Sequence, residues 1–395
     1  MLLHSIQMKN FLSYGPDAEP IDLRALNIIV GANGSGKSNL LEGVALLRST
    51  PGELVRPVRL GGSVREWLWK GSKETPVATI EAIVTEKKLP HLRMPLRYSF
   101  SFTETNSRFE IVDEKLEYER PYSDKTEPFF FYHYEHGAPV LNANVKLGEK
   151  KKRALRREDI NPEKSILAQR YDPDSYAEIS YLADVFKTIL VYRDWTFGPT
   201  SIVRKPQAVE FHGNFLLEDS SNLGLVLSQL KRTPEAKTRM LEFFRGIYEN
   251  ADDFDVIVEG ATIQVYVQEG AQIIPASRLS DGTLRYLCLL AILCHPNPPP
   301  LICIDEPELG LHPDMINNIA KALRYASERT QLLVTTHSIG LVDAFTNDPE
   351  VIVVCEKGKD GTRLKRLKEE DLVSLREGER LGALWTSGEI GGNRW

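Results

Sequence analysis

The sequence predicts an α/β protein: a mixed or parallel sheet with flanking helices, an antiparallel β subdomain, and a mainly helical inserted lobe. Three observations lead there. Continuous apolar runs, Leu26–Val30, Leu301–Ile304 and Leu332–Val334, suit strands buried on both faces. The stretches PVATIEAIVTE, LRYSFSFTE and RFEIVDEKLEYE alternate apolar and polar residues, as half-exposed antiparallel strands do. The middle of the chain carries helical spacing but no sustained heptad, so long coiled-coil arms are excluded.

Residues 1–145 form the first half. Short strands are expected around Leu3–Met8 and over Leu26–Val30, then a helix over Asn39–Leu47, then the β-rich stretch through FFFYHY at Phe129–Tyr134. His133 and His136 have no carboxylate or cysteine beside them, which favours a strand or loop role over metal binding. Residues 146–252 form the inserted lobe, with helices expected over 175–187, 221–230 and 234–249. The last begins with Pro234 and presents Met240, Leu241, Phe244 and Ile247 on one face. Residues 253–395 return to the core, with a helix after Ser280, strands over 301–304 and from Gln331, and another over Val351–Lys357.

The turn after Leu26–Val30 is GANGSGKS, Gly31–Ser38, which fits G-x-x-x-x-G-K-[ST]. Glycines let backbone N–H groups converge on phosphate oxygens, and the helix that follows points its N-terminus at the anion. Asn33, Gly34, Ser35, Gly36 and Asn39 belong to this loop. Lys37 supplies a point charge for the β and γ phosphates of ATP, and the Ser38 hydroxyl suits Mg²⁺. In PLICIDEPELGLHP, Asp305 ends an apolar strand where it can hold the metal shell, and Glu306 follows where it can orient or deprotonate water.

Two further pieces follow in order. Ser280 and Gly282 open a long apolar helix in RLSDGTLRYLCLLAIL, and His337 ends the strand of QLLVTTHS. Taken alone, Ser280 reads as a helix cap and His337 as a polar residue at a strand end. Their spacing from Asp305 gives the joint reading: an anion site at the helix N-terminus and an imidazole that donates to a γ-phosphate.

These motifs resemble the RecF/SMC branch of ABC-type ATPases, in particular its stand-alone soluble bacterial members. The resemblance rests on IQMKNFLSYG, GANGSGKSN, SSNLGLVLSQL, LSDGT, LICIDEPELGLHP, TTHS and the C-terminal GEIGGNRW. It covers residues 1 to about 50 and 275–345 well, and the middle only in layout. It implies an ABC-type P-loop NTPase core and an ATP-sandwiched homodimer or higher oligomer. In such a dimer the phosphate loop of one chain meets the Ser280 turn of the other, and hydrolysis opens the pair. LSDGT departs from the transporter form L-S-G-G-Q at Asp281 and Thr283. Leu12 stands where some relatives carry an arginine beside the adenine. The expected Mg²⁺-sensing glutamine has only Gln169, before a Tyr-Asp-Pro turn, as a candidate.

Apolar content of 42% and charged content of 26% are ordinary for a soluble globular chain, and a net charge of −6 gives no global attraction to nucleic acid or anionic membrane. Nucleic-acid contact must rest on a local patch. The candidate is Lys150–Arg157 within KLGEKKKRALRRED, a basic helix or loop without interleaved aromatics, whose alternative is solvated surface. The similar run Lys357–Lys368 reads as an exposed strand and turn. Cys288, Cys294, Cys303 and Cys355 lack metal-ligand spacing and read as reduced core residues of a cytoplasmic protein. No apolar run is long enough to span a bilayer, and no signal core opens the chain. The stretch after His337 is too short for the Toprim nuclease domain of OLD-type relatives.

The role these features lead us to expect is an ATP-hydrolysing switch. The stand-alone resemblance favours the sensor ATPase of a bacterial antiviral defence or toxin-type system that controls a co-encoded effector. The alternative is a DNA repair or maintenance ATPase.

Overall fold

The structure is a computed structural model and describes residues 1–85, 94–121, 126–135, 138–144, 150–154, 159–210, 213–372 and 379–391. Its eight-stranded sheet is antiparallel and runs in the order β2 (Ile21–Asp22), β1 (Leu3–Lys9), β4 (Ala78–Val84), β5 (Leu96–Thr105), β6 (Arg108–Tyr118), β7 (Phe130–Glu135), β8 (Ala138–Asn144), β9 (Lys150–Ala154). The six-stranded core sheet runs β10 (Leu190–Tyr192), β15 (Leu301–Asp305), β16 (Gln331–Thr336), β3 (Leu26–Val30), β17 (Ile352–Gly358), β18 (Gly361–Arg366). It is parallel except for the antiparallel edge strand β18. A small antiparallel sheet joins β11 (Gln207–Ala208), β12 (Asp253–Glu259), β13 (Thr262–Glu269) and β14 (Gln272–Pro275).

Side-chain alternation divides the interior in two. From the core strands, Ile28, Val30, Ile302, Ile304, Leu332 and Val334 enter one cluster, while Ile29, Leu301, Cys303, Leu333 and Val353 enter the other. The core sheet is therefore covered on both faces, which is why its strands read as unbroken apolar runs. One face receives α1 (Lys37–Ser49) and α5 (Ala177–Lys187), with α2 (Val55–Leu60), α3 (Val64–Trp67) and α4 (Ile166–Gln169) lying toward the eight-stranded sheet. The other face receives α6 (Leu223–Lys231), α7 (Pro234–Arg245), α8 (Asp281–Leu293) and α9 (Ile316–Ser327). Short helices α10 (Ile339–Asp343) and α11 (Leu381–Ser387) pack on each other.

The expected helices of the 146–252 segment are present, but the segment is woven into the core. Its strand β10 pairs with β15, α5 lies against α1, and α6 and α7 lie against α8. The expected third helix stops at Arg245, before Gly246. The basic run contributes Lys150, Lys151, Lys152 and Arg153 to β9 at the sheet edge, so it is in part a strand where a helix or loop was expected. Lysine-rich composition at a sheet edge discourages pairing with other chains. Arg156 and Arg157 lie outside the described residues, as do His136 and the last four residues of GEIGGNRW. Among the described residues, no helix is long and apolar enough to cross a membrane.

Candidate nucleotide site

Parallel register brings the motif residues to one edge. Thr336 of β16 lies opposite Val30 of β3, and Thr335 lies opposite Asp305 of β15. The residues that follow each strand therefore emerge together: Gly31 after β3, Glu306 after β15 and His337 after β16. Ligands of open α/β sheets bind in the crevice at such carboxyl ends.

The phosphate loop has a buried floor and an open mouth. Gly31, Ser35, Gly36 and Lys37 are buried, while Asn33, Gly34 and Ser38 are exposed. Thr362 of β18 donates to Ser35 O at 2.7 Å, Cys355 Sγ donates to the same oxygen at 3.4 Å, and the Tyr14 hydroxyl donates to Gly36 O at 3.1 Å. Asn39 donates to Ser13 Oγ at 2.7 Å, tying α1 to the N-terminal segment. Gly36 has φ +113°, and a Cβ there would meet Thr362 Oγ1 at 2.3 Å and Ser13 Oγ at 2.6 Å. Gly34, at φ +72°, faces open space. Gly36 caps α1 with no side chain, so the first-turn N–H groups keep their anion-binding capacity.

Lys37 Nζ donates to Gly31 O at 2.9 Å and Ala32 O at 3.0 Å. Burial lowers its pKa from the ordinary lysine value, and Cys355, Glu306, Asp305 and Glu308 oppose the shift. Asp305 accepts a hydrogen bond from the Thr335 hydroxyl. Glu306 has φ +47°, a left-handed conformation uncommon for a non-glycine residue. Its N–H donates to Thr335 O at 3.1 Å, its carbonyl accepts from Arg285 Nη2 at 3.2 Å, and its Oε1 lies 3.1 Å from His337 Nε2. Burial lowers the His337 pKa, Lys37 lowers it further, and Glu306 and Asp305 act in the opposite direction.

Sequence reasoning missed several contributors. Glu308 accepts from the Thr336 hydroxyl and from His337 N at 3.3 Å, and burial raises its pKa. Its place two residues after Glu306 in DEPE was a usable signal. Thr335 and Thr336 precede His337 in the same motif. Thr362 had none, because it lies in the run read as an exposed strand and turn, yet it is buried under the loop. Gln169 bonds to Asn161 and Lys164.

Ser280 caps α8, accepting from Thr283 N at 3.0 Å. With Gly282 and Thr283 it lines a cavity of about 510 Å³ shared with Gly246, Glu249, Gly310 and His312, and no phosphate-loop residue lines that cavity. The chain thus brings together Lys37, Ser38, Asp305, Glu306 and His337, and holds Ser280 and Gly282 in a separate recess. Both nucleotide and magnesium fit the first group. The uncapped α1 terminus and open Gly34 mouth suit phosphate, and a hydroxyl plus a carboxylate suit a hard cation carried by phosphates. Among the described residues, no group of three or more His, Cys, Asp or Glu side chains could hold a metal unaided.

No curated protein matches the chain in sequence. Among solved structures, the chain is similar to an SMC head bound to the C-terminal winged-helix domain of ScpA, with TM-score 0.60 and 15% identity, over 94% of this chain and 100% of that one. It is also similar to the Pyrococcus furiosus Smc head domain with an extended coiled coil, bound to the C-terminal domain of ScpA. There the TM-score is 0.57 and the identity 14%, over 95% of this chain and 98% of that one. At such identity the likeness is one of fold, and the fold is the RecF/SMC-like ABC-type P-loop ATPase fold. Residues 26–343 match the family described as "AAA domain, putative AbiEii toxin, Type IV TA system", and the chain belongs to that family.

Proposed function

We propose that this protein binds Mg·ATP at the carboxyl ends of β3, β15 and β16 and hydrolyses the γ-phosphate. The convergence of Lys37, Ser38, Asp305, Glu306 and His337 in one crevice carries the reading. Asn33 and Asn39 flank a cradle made by the N–H groups of Gly34, Ser35, Gly36 and Lys37, with the Lys37 ammonium reaching the β and γ phosphates. Ser38 and Asp305 would hold a Mg²⁺ ion, which would supply neutralisation of phosphate charge. Glu306 orients water for in-line attack and accepts its proton, and His337 donates to the γ-phosphate. The work is positioning and electrostatics, as phosphoryl transfer requires.

Two chains sandwich the nucleotide in this reading. Ser280 and Gly282 have no phosphate loop beside them in their own chain, so a second protomer supplies it. Leu309, 57% exposed, and Ile339, 48% exposed, are apolar residues beside Glu308 and His337 and support burial of this face by a copy. The family description, with its putative toxin and Type IV TA system, supports a place in a toxin-type system, in which we read this chain as the sensor ATPase of a separate effector.

The test measures ATPase rate and solution mass of wild type and Glu306→Gln, with ATP, with and without duplex DNA. The expected result is turnover by wild type, ATP retention in a stable dimer by the variant, and indifference to DNA. Wild-type turnover by Glu306→Gln overturns the catalytic assignment. DNA-stimulated turnover replaces the effector reading with a DNA-maintenance switch.

A further inference from the structure

Arg285 lies in the helix that follows the Ser280 turn, yet its head group serves the loop after β15. It is only 7% exposed. Its Nη2 donates to the carbonyl of Glu306 at 3.2 Å, and its Nη1 lies 3.8 Å from where a Cβ on Gly310 would stand. The guanidinium therefore reaches across the turn from Glu306 to Gly310. Its other neighbours are aromatic. The guanidinium carbon lies 5.4 Å from the Trp195 ring centroid and 5.8 Å from that of Phe197, and the two rings stack at 6.2 Å.

The segment carrying those rings is fixed at both ends. Arg193 pairs with Glu42 of α1, one helical turn beyond Ser38. Arg204 pairs with Asp281 at 2.5 Å and donates to Leu279 O at 2.7 Å, and Asp281 also accepts from Gly198 N at 3.0 Å. Burying a guanidinium is costly unless it is hydrogen-bonded and its charge is matched. Here it meets Glu306, a non-glycine residue in a left-handed conformation, and that conformation sets where the Glu306 carboxylate points.

We infer that Arg285 is a positioning residue for Glu306: held by Trp195 and Phe197, it fixes the Glu306 carbonyl and so the aim of its carboxylate. The inference rests on the proposed role of Glu306 in ATP hydrolysis. Arg285 touches no nucleotide in this scheme, so its removal changes turnover without changing nucleotide affinity. A planar fork held over two stacked rings is not reproduced by an ammonium, so Lys restores part of the effect.

The experiment compares wild type, Arg285→Gln, Arg285→Lys, Trp195→Ala, Glu306→Gln and the double variant Arg285→Gln/Glu306→Gln. It reads ATP affinity, kcat per bound nucleotide and melting temperature. We expect Arg285→Gln to lower kcat about 10- to 100-fold with ATP affinity within about threefold, as for loss of an interaction used only in the transition state. Arg285→Lys should fall between, and Trp195→Ala should follow Arg285→Gln. In the Glu306→Gln background, Arg285→Gln should cause no further loss of turnover, because it acts through Glu306. Equal losses in both backgrounds, or a lower melting temperature with kcat per bound nucleotide unchanged, overturn the inference while leaving the ATPase reading intact. Absence of turnover in wild type, or normal turnover in Glu306→Gln, overturns that reading and this inference with it.

Discussion

His337 Nε2 lies 3.1 Å from Glu306 Oε1, so the strand-end imidazole and the proposed catalytic carboxylate stand as one close pair. Adjacent parallel strands β15 and β16 create the pairing, and Glu308 reinforces it by accepting from His337 N. The protonation state of His337 therefore governs how free Glu306 is to accept a proton.

We expect the ATPase rate to fall in acid for this reason. Burial and Lys37 hold the His337 pKa below the ordinary histidine value, so the imidazole is neutral at pH 7 and charges only as pH drops below about 6.5. Charging converts the pair into an ion pair that occupies Glu306. A pH–rate profile checks this. His337→Gln should lower kcat about 10- to 100-fold and remove the acid limb that His337 causes. An unchanged limb in the variant refutes the coupling.

Mixing two inactive variants should restore activity if the site is shared between chains. Lys37→Ala removes the phosphate-loop charge, and Ser280→Arg obstructs the recess lined by Ser280 and Gly282. Each alone should lose turnover. An equimolar mixture should regain about a quarter of the wild-type rate, since half of randomly paired dimers carry one intact composite site of two. No recovery after subunit exchange, verified by mass, argues for a site complete within one chain.

Two glycines of the loop should differ in cost. Gly36→Ala places a methyl within 2.3 Å of Thr362 Oγ1 at φ +113°. It should destabilise by about 2–3 kcal/mol and weaken nucleotide binding. Gly34→Ala at φ +72° meets open space and should cost only the backbone term, about 1–2 kcal/mol. Urea unfolding of both variants checks the order.

Glu114 should give stability a slope with pH. Its carboxyl is buried with the Tyr98 hydroxyl at 2.6 Å, the Ser165 hydroxyl at 2.5 Å and Ile166 N at 2.8 Å. Burial pushes its pKa from 4.5 up to about 7, against those hydrogen bonds. The folded state thus holds this proton more tightly than the unfolded state. The group's contribution is fully present below pH 4.5 and is lost as pH rises through about 7, amounting to roughly 3 kcal/mol. Glu114→Gln should flatten the slope of denaturant-derived stability over that window. A slope that persists in the variant assigns it to another group.

Much of the core sheet was legible because burial on both faces leaves unbroken apolar runs. Leu26–Val30 has the bounds of β3, and the run at Leu301–Ile304 falls within β15. The phosphate loop and DEPE were legible because their chemistry fixes residue types at fixed spacing. In the eight-stranded sheet β1, β4, β5, β6 and β7 were legible as strands, but β2, β8, β9 and the strand order were not. Which strands pair depends on turn geometry and packing between segments distant in the chain.

The sequence by itself determined the main core strands and helices, the phosphate loop, the paired acids after an apolar strand, and the family resemblance. Each is a local pattern set by side-chain period or by the reach of a few adjacent atoms. Only the tertiary structure decided that Thr362 and Cys355 floor the loop, that β10 enters the core sheet, and that Arg285 meets Glu306. These depend on which elements pack together, and no spacing along the chain encodes a contact made across it.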